Sequence, residues 1–599
     1  MSADITRVSG ANTPVTGQRW GPRRLADGSF RFQLWAPAED AVDLLLNGTK
    51  CPMTKTGDGW HHVETAAAAG SIYGFVLTDG NLVGDPASRQ QVLNLDGPSV
   101  LTSSDHYLWQ NSGWIGRPWE EAVFYEIHIG AFTDEGTFRA AIGKLPYLAS
   151  LGITAVEIMP LAHFPGTRGW GYDGVLQFAP HNAYGSPDDV RTFVDAAHGL
   201  GMMVFLDVVY NHFGPEGNYL GQYAPGFFRK DADTPWGAAI DYEKDEVRSY
   251  FIENVLYWLK DFRLDGLRFD AIDQIKDDSD IHILEQIVRS VRQETGGCHI
   301  HLITENPANG TDLMAAQPDG RFYKADWNDD FHHAMHVAIT GEDTGYFEPF
   351  KDDTWNKLRH VLASGYLRPG QSIVSENPPP TESLPPTAFI HFLQNHDQVG
   401  NRALGDRLHL STDRHLYRAL TEMLLLSPQI PLMFMGDEHL SLSPFHFFAD
   451  YTGDIAKAVR DNRPKQAANF GGLPKGTRDE HIPDPNAHAT FTRSKIDWTM
   501  ADTEGALAWS GFIRRLIALR QEKIVPLLAD AAGYAGAVID APDRCLFIDW
   551  TFGARTLQLR ANLSDDDVAM PAGLGDRIFP AESVEQFGLP AATIQMFIR

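Results

Sequence analysis

Eight short apolar runs, separated by segments long enough to cross back over a sheet, constrain this chain more than any other feature. They fall at residues 123–129, 153–159, 203–209, 266–272, 299–305, 322–327, 389–394 and 430–435. Helical periodicity lies between them at 137–149, 188–200, 247–262, 281–294, 358–362 and 416–426, and a last helix is expected over about 506–522. Strands buried on both faces of a parallel sheet have this near-continuous apolar character. Eight such units predict an α/β fold built on a closed (β/α)8 TIM barrel. A doubly wound open sheet would carry a Gly-rich phosphate turn after its first strand, and none follows residue 129.

The flanks read differently. Short alternating stretches at 30–35 and 42–46, broken by Asn47-Gly48 and Asp79-Gly80, predict an N-terminal β-sandwich over 1–106. Strands at 544–551, 556–562 and 593–598 predict a C-terminal β-domain over 531–599, which leaves 107–530 to the barrel. Asn377-Pro378-Pro379-Pro380 is an extended loop. The formal net charge of -28 disfavours nucleic acid and anionic membranes as partners. Cys51, Cys298 and Cys545 are far apart and match no metal or disulfide framework. Residues 1–24 carry no signal-peptide pattern, and no apolar run reaches membrane-spanning length. These features lead to the expectation of a cytoplasmic enzyme.

The polar residues at the strand ends carry the chemistry. The third run leads into Asp207, Asn211 and His212, the fourth contains Arg268 and Asp270, the fifth ends at Glu305, and the seventh leads into His396 and Asp397. In such barrels the C-terminal strand ends build the active site. A lone strand-end Asp usually caps a turn, and a lone His is usually a satisfied structural group. Four carboxylates with two histidines and an arginine at one mouth make a different case. Glycoside cleavage needs one carboxyl to protonate the leaving oxygen and another on the opposite side of the ring, and a separation of about 5–5.5 Å implies a covalent intermediate and retention. Arg268 lies two residues before Asp270, so on a strand the two share a face and the guanidinium orients the carboxylate.

These segments resemble the four motif regions of glycoside hydrolase family 13, the α-amylase family, and the likeness runs over nearly the whole chain. The resemblance implies that Asp270 is the nucleophile, Glu305 the acid/base, and Asp397 the group that binds sugar hydroxyls and stabilises the transition state. It places Asp207, His212, Arg268 and His396 around the same sugar. It also makes Tyr172, in Gly169-Trp170-Gly171-Tyr172-Asp173, the ring that stacks under that sugar.

Within that family the chain is most similar to the trehalose-releasing branch. The segments that carry this likeness begin at Arg168, Asn211, Trp327, Pro444, Pro483 and Ser494. That likeness implies hydrolysis of the α-1,4 bond beside the terminal α,α-trehalose of maltooligosyltrehalose, no cofactor, and maltooligosyltrehalose synthase as the pathway partner upstream. The candidates for reading the trehalose end lie in the loops after strands six and eight: Trp327, Asp329, Asp330, Phe331, Phe447, Phe448 and Asp450. Loop packing is the competing reading for Phe447 and Phe448. Relatives tend to carry an acidic residue where Gln466 stands, and two glutamates where Asp437 and Glu438 stand. Asn211 is a calcium-ligand type, but its supporting loop is not recognisable, so no metal is expected. The alternatives are an α-1,6 debranching hydrolase, a branching transferase, and a glycan-binding protein that has lost catalysis. The last usually lacks one of the three acids present here.

Overall fold

The computed structural model describes residues 18–599 except 93, 94, 96, 105, 316–321, 369, 371, 376, 475 and 581–587. The signal-peptide reading of residues 1–24 therefore falls largely outside the described residues. Eight parallel strands close a barrel in sequence order. They are β1 (Phe124–Ile127), β2 (Ala155–Ile158), β3 (Met203–Val208), β4 (Gly266–Phe269), β5 (His301–Glu305), β6 (Ala325–Trp327), β7 (Phe389–Phe392) and β8 (Ile430–Phe434). Each expected run contains its strand, and each strand is shorter than its run: β3, β4, β7 and β8 lose mouth-side residues to loops, whereas β5 and β6 begin later than expected.

The register orders the barrel's interior. In a closed eight-stranded barrel the next-but-one strand advances by about two residues at a given level, so alternate strands fill each layer. Following the pairings gives four layers. The lowest holds Ala155, Gly266, Ala325 and Ile430. Above it lie Phe124, Phe205, Ile303 and Ile390, where the Phe124 and Phe205 rings meet at 4.8 Å. The third holds Glu157, Arg268, Trp327 and Leu432, with the Arg268 guanidinium 4.3 Å from the Trp327 ring centre. The fourth holds Glu126, Asp207, Glu305 and Phe392. Gly266 is dictated by this packing, since a Cβ there would lie 2.1 Å from the His301 carbonyl oxygen and 2.2 Å from the Phe205 ring.

Helices cover the barrel. Pro187–Gly199 opens with a Ser186/Asp189 capping box and Pro187 in its first turn. Three helical expectations are corrected. The stretch 137–149 is two helices, Phe138–Ile142 and Leu145–Leu151, separated at Gly143 and Lys144. Asp329–Thr340 is a helix capped by the Asn328 side chain, where sequence reading left a loop. Its polar first turn and histidine-rich face hid its periodicity. Gly453–Ala468 is a further unanticipated helix, strongly polar and only lightly buried.

Two antiparallel sheets precede the barrel. One contains Phe30–Trp35 and Trp60–Thr65, the other Asp43–Leu46 and Ile72–Val76. Phe32 and Tyr73 bring them together, with ring centres 5.1 Å apart. This sandwich is fastened to helix Asp245–Asp261. The Glu253 carboxylate accepts from the Arg19 and Trp20 amides at 2.9 and 3.0 Å, and Trp20 packs edge-on to Tyr250. After the barrel comes a five-stranded antiparallel sheet containing Cys545–Phe552, Arg555–Asn562 and Thr593–Ile598. Arg359, on helix Thr354–Ser364, donates to the carbonyls of Cys545 and Pro542 and ties that sheet to the barrel. No helix among the described residues is long and apolar enough to cross a membrane.

Candidate active site

The mouth is organised around Arg268. Pointing inward from β4, its Nη1 donates to Asp207 Oδ2 at 2.7 Å and to Asp270 Oδ1 at 2.8 Å, while Nη2 lies 3.7 Å from Glu305 Oε2. One guanidinium thus gathers three carboxyls from β3, the end of β4 and β5. Asn211 steadies Asp270 from the other side, with Nδ2 donating to Asp270 Oδ2 at 3.1 Å and to its carbonyl at 2.9 Å.

The backbone after Asp270 is bent into the left-handed region at Ala271, with φ 40°, a conformation unfavourable for a residue with a Cβ. The bend aims the Ala271 amide at Glu305, donating to Oε2 at 2.7 Å. Burial pushes the Glu305 carboxyl well above the usual range. Arg268 pulls against that, and the charges of Asp270 and Asp329 add to it. The net shift is toward the protonated form, the form a general acid needs. Burial likewise lifts Asp207 to about 6 against the pull of Arg268.

A second chain of hydrogen bonds closes the site from β7. The amide and Nδ1 of His396 both meet the carboxylate of Glu126, from β1. Its Nε2 lies 2.8 Å from the Tyr172 hydroxyl, which donates to Asp207 Oδ2 at 2.6 Å. Burial opposes a charge on His396, but Glu126 and Asp397 outweigh it and lift the imidazole to about 9. As an imidazolium it donates from both nitrogens, which fixes the ring and the Tyr172 hydroxyl together. Tyr172 stacks on His396 with ring centres 5.2 Å apart, leaving a partly exposed ring at the site. The Asp397 side chain is 42% exposed and accepts from Asn401, so a carboxylate faces the mouth where sugar hydroxyls can reach it. His212 is buried beside Asp270, hydrogen-bonds Asn211, and stacks against Trp236.

The trehalose-end candidates divide. Asp329 joins the site: burial lifts it to about 7, Asp397 and Asp330 add to the rise, and Arg268 opposes it. Phe447 is half-buried at the rim, edge-on to Trp170, which in turn meets His396. The other five are engaged in packing or loop contacts. Trp327 is buried in the third layer against Arg268 rather than lining a loop. Phe331 is 0% exposed, stacked on His391 at 4.0 Å. Phe448 is also 0% exposed, among His128, Phe445 and Phe491. Asp330 accepts from the Leu367 amide and Asn309. Asp450 pins the Thr167–Arg168 turn through the Thr167 amide and the Arg168 guanidinium. These two carboxylates hold loops.

Sequence reasoning passed over several residues of the site. Glu126 had a visible signal, a lone carboxylate within an apolar strand. Trp236, 50% exposed and stacked on His212, had none, because it lies on a hairpin far in sequence from any strand end. Tyr346 is likewise exposed and close enough to Asp397, Asp329 and Glu305 to feel their charges.

A closed eight-stranded barrel with acids converging at its C-terminal mouth is the architecture of an α-amylase-type glycoside hydrolase, and the family described as the α-amylase catalytic domain matches residues 110–236. Malto-oligosyltrehalose trehalohydrolase from Deinococcus radiodurans is 41% identical over 84% of this chain and 83% of its own length. The Rhizobium sp. protein of that name is 36% identical over 91% of this chain and 92% of its own. The crystal structure of a Salmonella typhimurium chain described as a candidate α-amylase superposes with a TM-score of 0.92 and 46% identity, covering 97% of this chain and 99% of that one. The chain belongs to the malto-oligosyltrehalose trehalohydrolase family of α-amylase-type glycoside hydrolases.

Proposed function

We propose that this protein hydrolyses the α-1,4-glucosidic bond next to the terminal α,α-trehalose of maltooligosyltrehalose, releasing trehalose and a maltooligosaccharide with retention at the anomeric carbon. The observation that carries this is the coverage of trehalohydrolase relatives over most of both chains. The three carboxyls gathered at Arg268 supply the means.

In the first step Glu305 gives its proton to the glycosidic oxygen while Asp270 attacks the anomeric carbon. The bond to trehalose breaks, and a glycosyl ester forms on Asp270. In the second step Glu305, now a carboxylate, takes a proton from water, the hydroxide attacks the same carbon, and Asp270 is freed. Retention suits two carboxyls held by one guanidinium, since double displacement needs them close together. Asp397 binds hydroxyls of the reacting glucose, the Tyr172 ring lies under it, and Asp207, His212 and His396 shape its pocket. Asp329 and Phe447 are placed to read the trehalose end. Residues 1–106, 107–530 and 531–599 are proposed as sandwich, catalytic barrel and C-terminal β-domain. A cytoplasmic location and an upstream maltooligosyltrehalose synthase complete the proposal.

The test is product analysis with maltotriosyltrehalose, maltopentaose and a branched glucan supplied separately. Rapid trehalose release from the first with little cutting of the others supports the proposal. Preferential cutting of the branched glucan with no trehalose would replace it with α-1,6 debranching.

A further inference from the structure

Glu157 lies in the interior layer directly beneath Asp207 and Glu305, and the two-step reaction has no use for it. The side chain is 1% exposed, and neither carboxyl oxygen has a hydrogen-bond partner. The charged groups that face it are Glu126 from β1, Asp207 from β3 and Arg268 from β4. Arg268, the cation among them, is already shared by Asp207, Asp270 and Glu305. A carboxylate buried without a partner is costly enough that it takes up a proton instead.

Three further buried polar atoms of the same two layers also lack a partner: Asp207 Oδ1, Arg268 Nε and Trp327 Nε1. The first needs a donor and the other two need acceptors. A carboxylate only accepts, whereas a carboxylic acid offers one donor and one acceptor. A polar pocket with this set of groups also suits bridging water.

We propose that Glu157 is a neutral positioning residue in the floor of the active site. Its carboxyl hydroxyl donates toward Asp207, and its carbonyl oxygen accepts from the Arg268 and Trp327 side, directly or through buried water. The effect is to leave the Arg268 guanidinium aimed at Asp270 and Glu305. Burial and the nearby Glu126 act in the same sense, pushing the Glu157 carboxyl well above the usual range against the pull of Arg268. The inference rests on Asp270 and Glu305 being the reacting pair.

The full-length protein and its Glu157→Gln and Glu157→Met variants test it in two arms. Infrared difference spectra of substrate-free wild type against Glu157→Gln at neutral pH should show the C=O band of one protonated buried carboxyl lost in the variant. The absence of that difference overturns the proposal whatever the substrate proves to be. In the second arm, kcat and KM for maltotriosyltrehalose are followed against pH. Glu157→Met should lose kcat on the order of 100-fold with KM little changed, the scale expected when reacting groups are displaced by about 1 Å. Glu157→Gln should recover most of that loss and keep the alkaline limb of the wild-type profile. A Met variant as active as wild type, a Gln variant as impaired as Met, or an alkaline limb moved to lower pH in the Gln variant each overturns it. Wild type that releases no trehalose defeats the functional proposal instead, and the infrared arm still decides the state of Glu157.

Discussion

The lower and upper halves of the barrel's interior are built from the same eight strands and to the same register, yet they solve opposite problems. Below, Phe124, Phe205, Ile303 and Ile390 sit over Ala155, Gly266, Ala325 and Ile430, mostly large residues above small ones, with no charge among them. Above, the next two layers bury Glu126, Glu157 and Asp207, with the half-buried Glu305, around a single Arg268. The lower half draws stability from apolar burial and close packing. The upper half spends part of that stability on desolvated carboxyls, and burial moves Glu157, Asp207 and Glu305 toward their protonated forms. The difference teaches that the site's acidity is a property of the layer, and that the layer is affordable only over a well-packed base.

The largest expected effect lies at the top. Asp270→Asn and Glu305→Gln should each lose on the order of 10⁴-fold or more in kcat with the thermal midpoint nearly unchanged, because each removes a group that acts in the reaction. Near-native rates in either variant would remove the role assignment. The matching change below is Phe205→Ala, which should cost about 3–5 kcal/mol of stability by cavity formation while the rate per folded molecule stays close to wild type. A large loss of rate there at full folding would erase the distinction between the halves.

Asp329 sharpens the comparison through pH. Its carboxyl is raised in the folded protein to about 7, above an unfolded value of about 3.9. The folded state then holds the extra proton between those values, so this group's contribution to stability is fully present below about pH 4 and is lost as pH rises toward about 7. Asp329→Asn should therefore raise the thermal midpoint at pH 8 and leave it unchanged near pH 4. Equal shifts at both values would mean that the carboxyl is not perturbed by its burial.

The smallest effects separate the two adjacent phenylalanines of the last loop. Phe447→Ala should reduce discrimination between maltotriosyltrehalose and maltopentaose by about tenfold, the scale of one lost apolar contact in a binding pocket, with little change in stability. Phe448→Ala should do the reverse, costing about 3–5 kcal/mol of stability and leaving the preference alone. If the two variants behave alike, rim and core are not distinct in this loop.

Barrel closure, the convergence of carboxyls at its mouth and the flanking β-structure were legible in the sequence, because each leaves a local trace. Apolar runs mark buried parallel strands, and a carboxylate just past such a run marks the mouth. Alternation cut by turn residues marks the antiparallel flanks. The same local trace could have exposed Glu126 and Glu157, since a lone glutamate inside an apolar strand calls for an explanation. What the tertiary structure alone decided is which of the mouth-side residues face the open mouth and which pack inward. Phe447 and Phe448 are neighbours of one type, and only packing against Trp170 or against Phe445 and Phe491 separates them. Asp329 and Asp330 likewise diverge because a helix begins there and points successive side chains in different directions, one to the site and one to the Asn309 and Leu367 loops. Residue type and spacing set the chemistry a position can perform. The choice among those chemistries belongs to burial and to the charges brought in by other strands, and for Glu157 and Glu305 those arrive from segments far away along the chain.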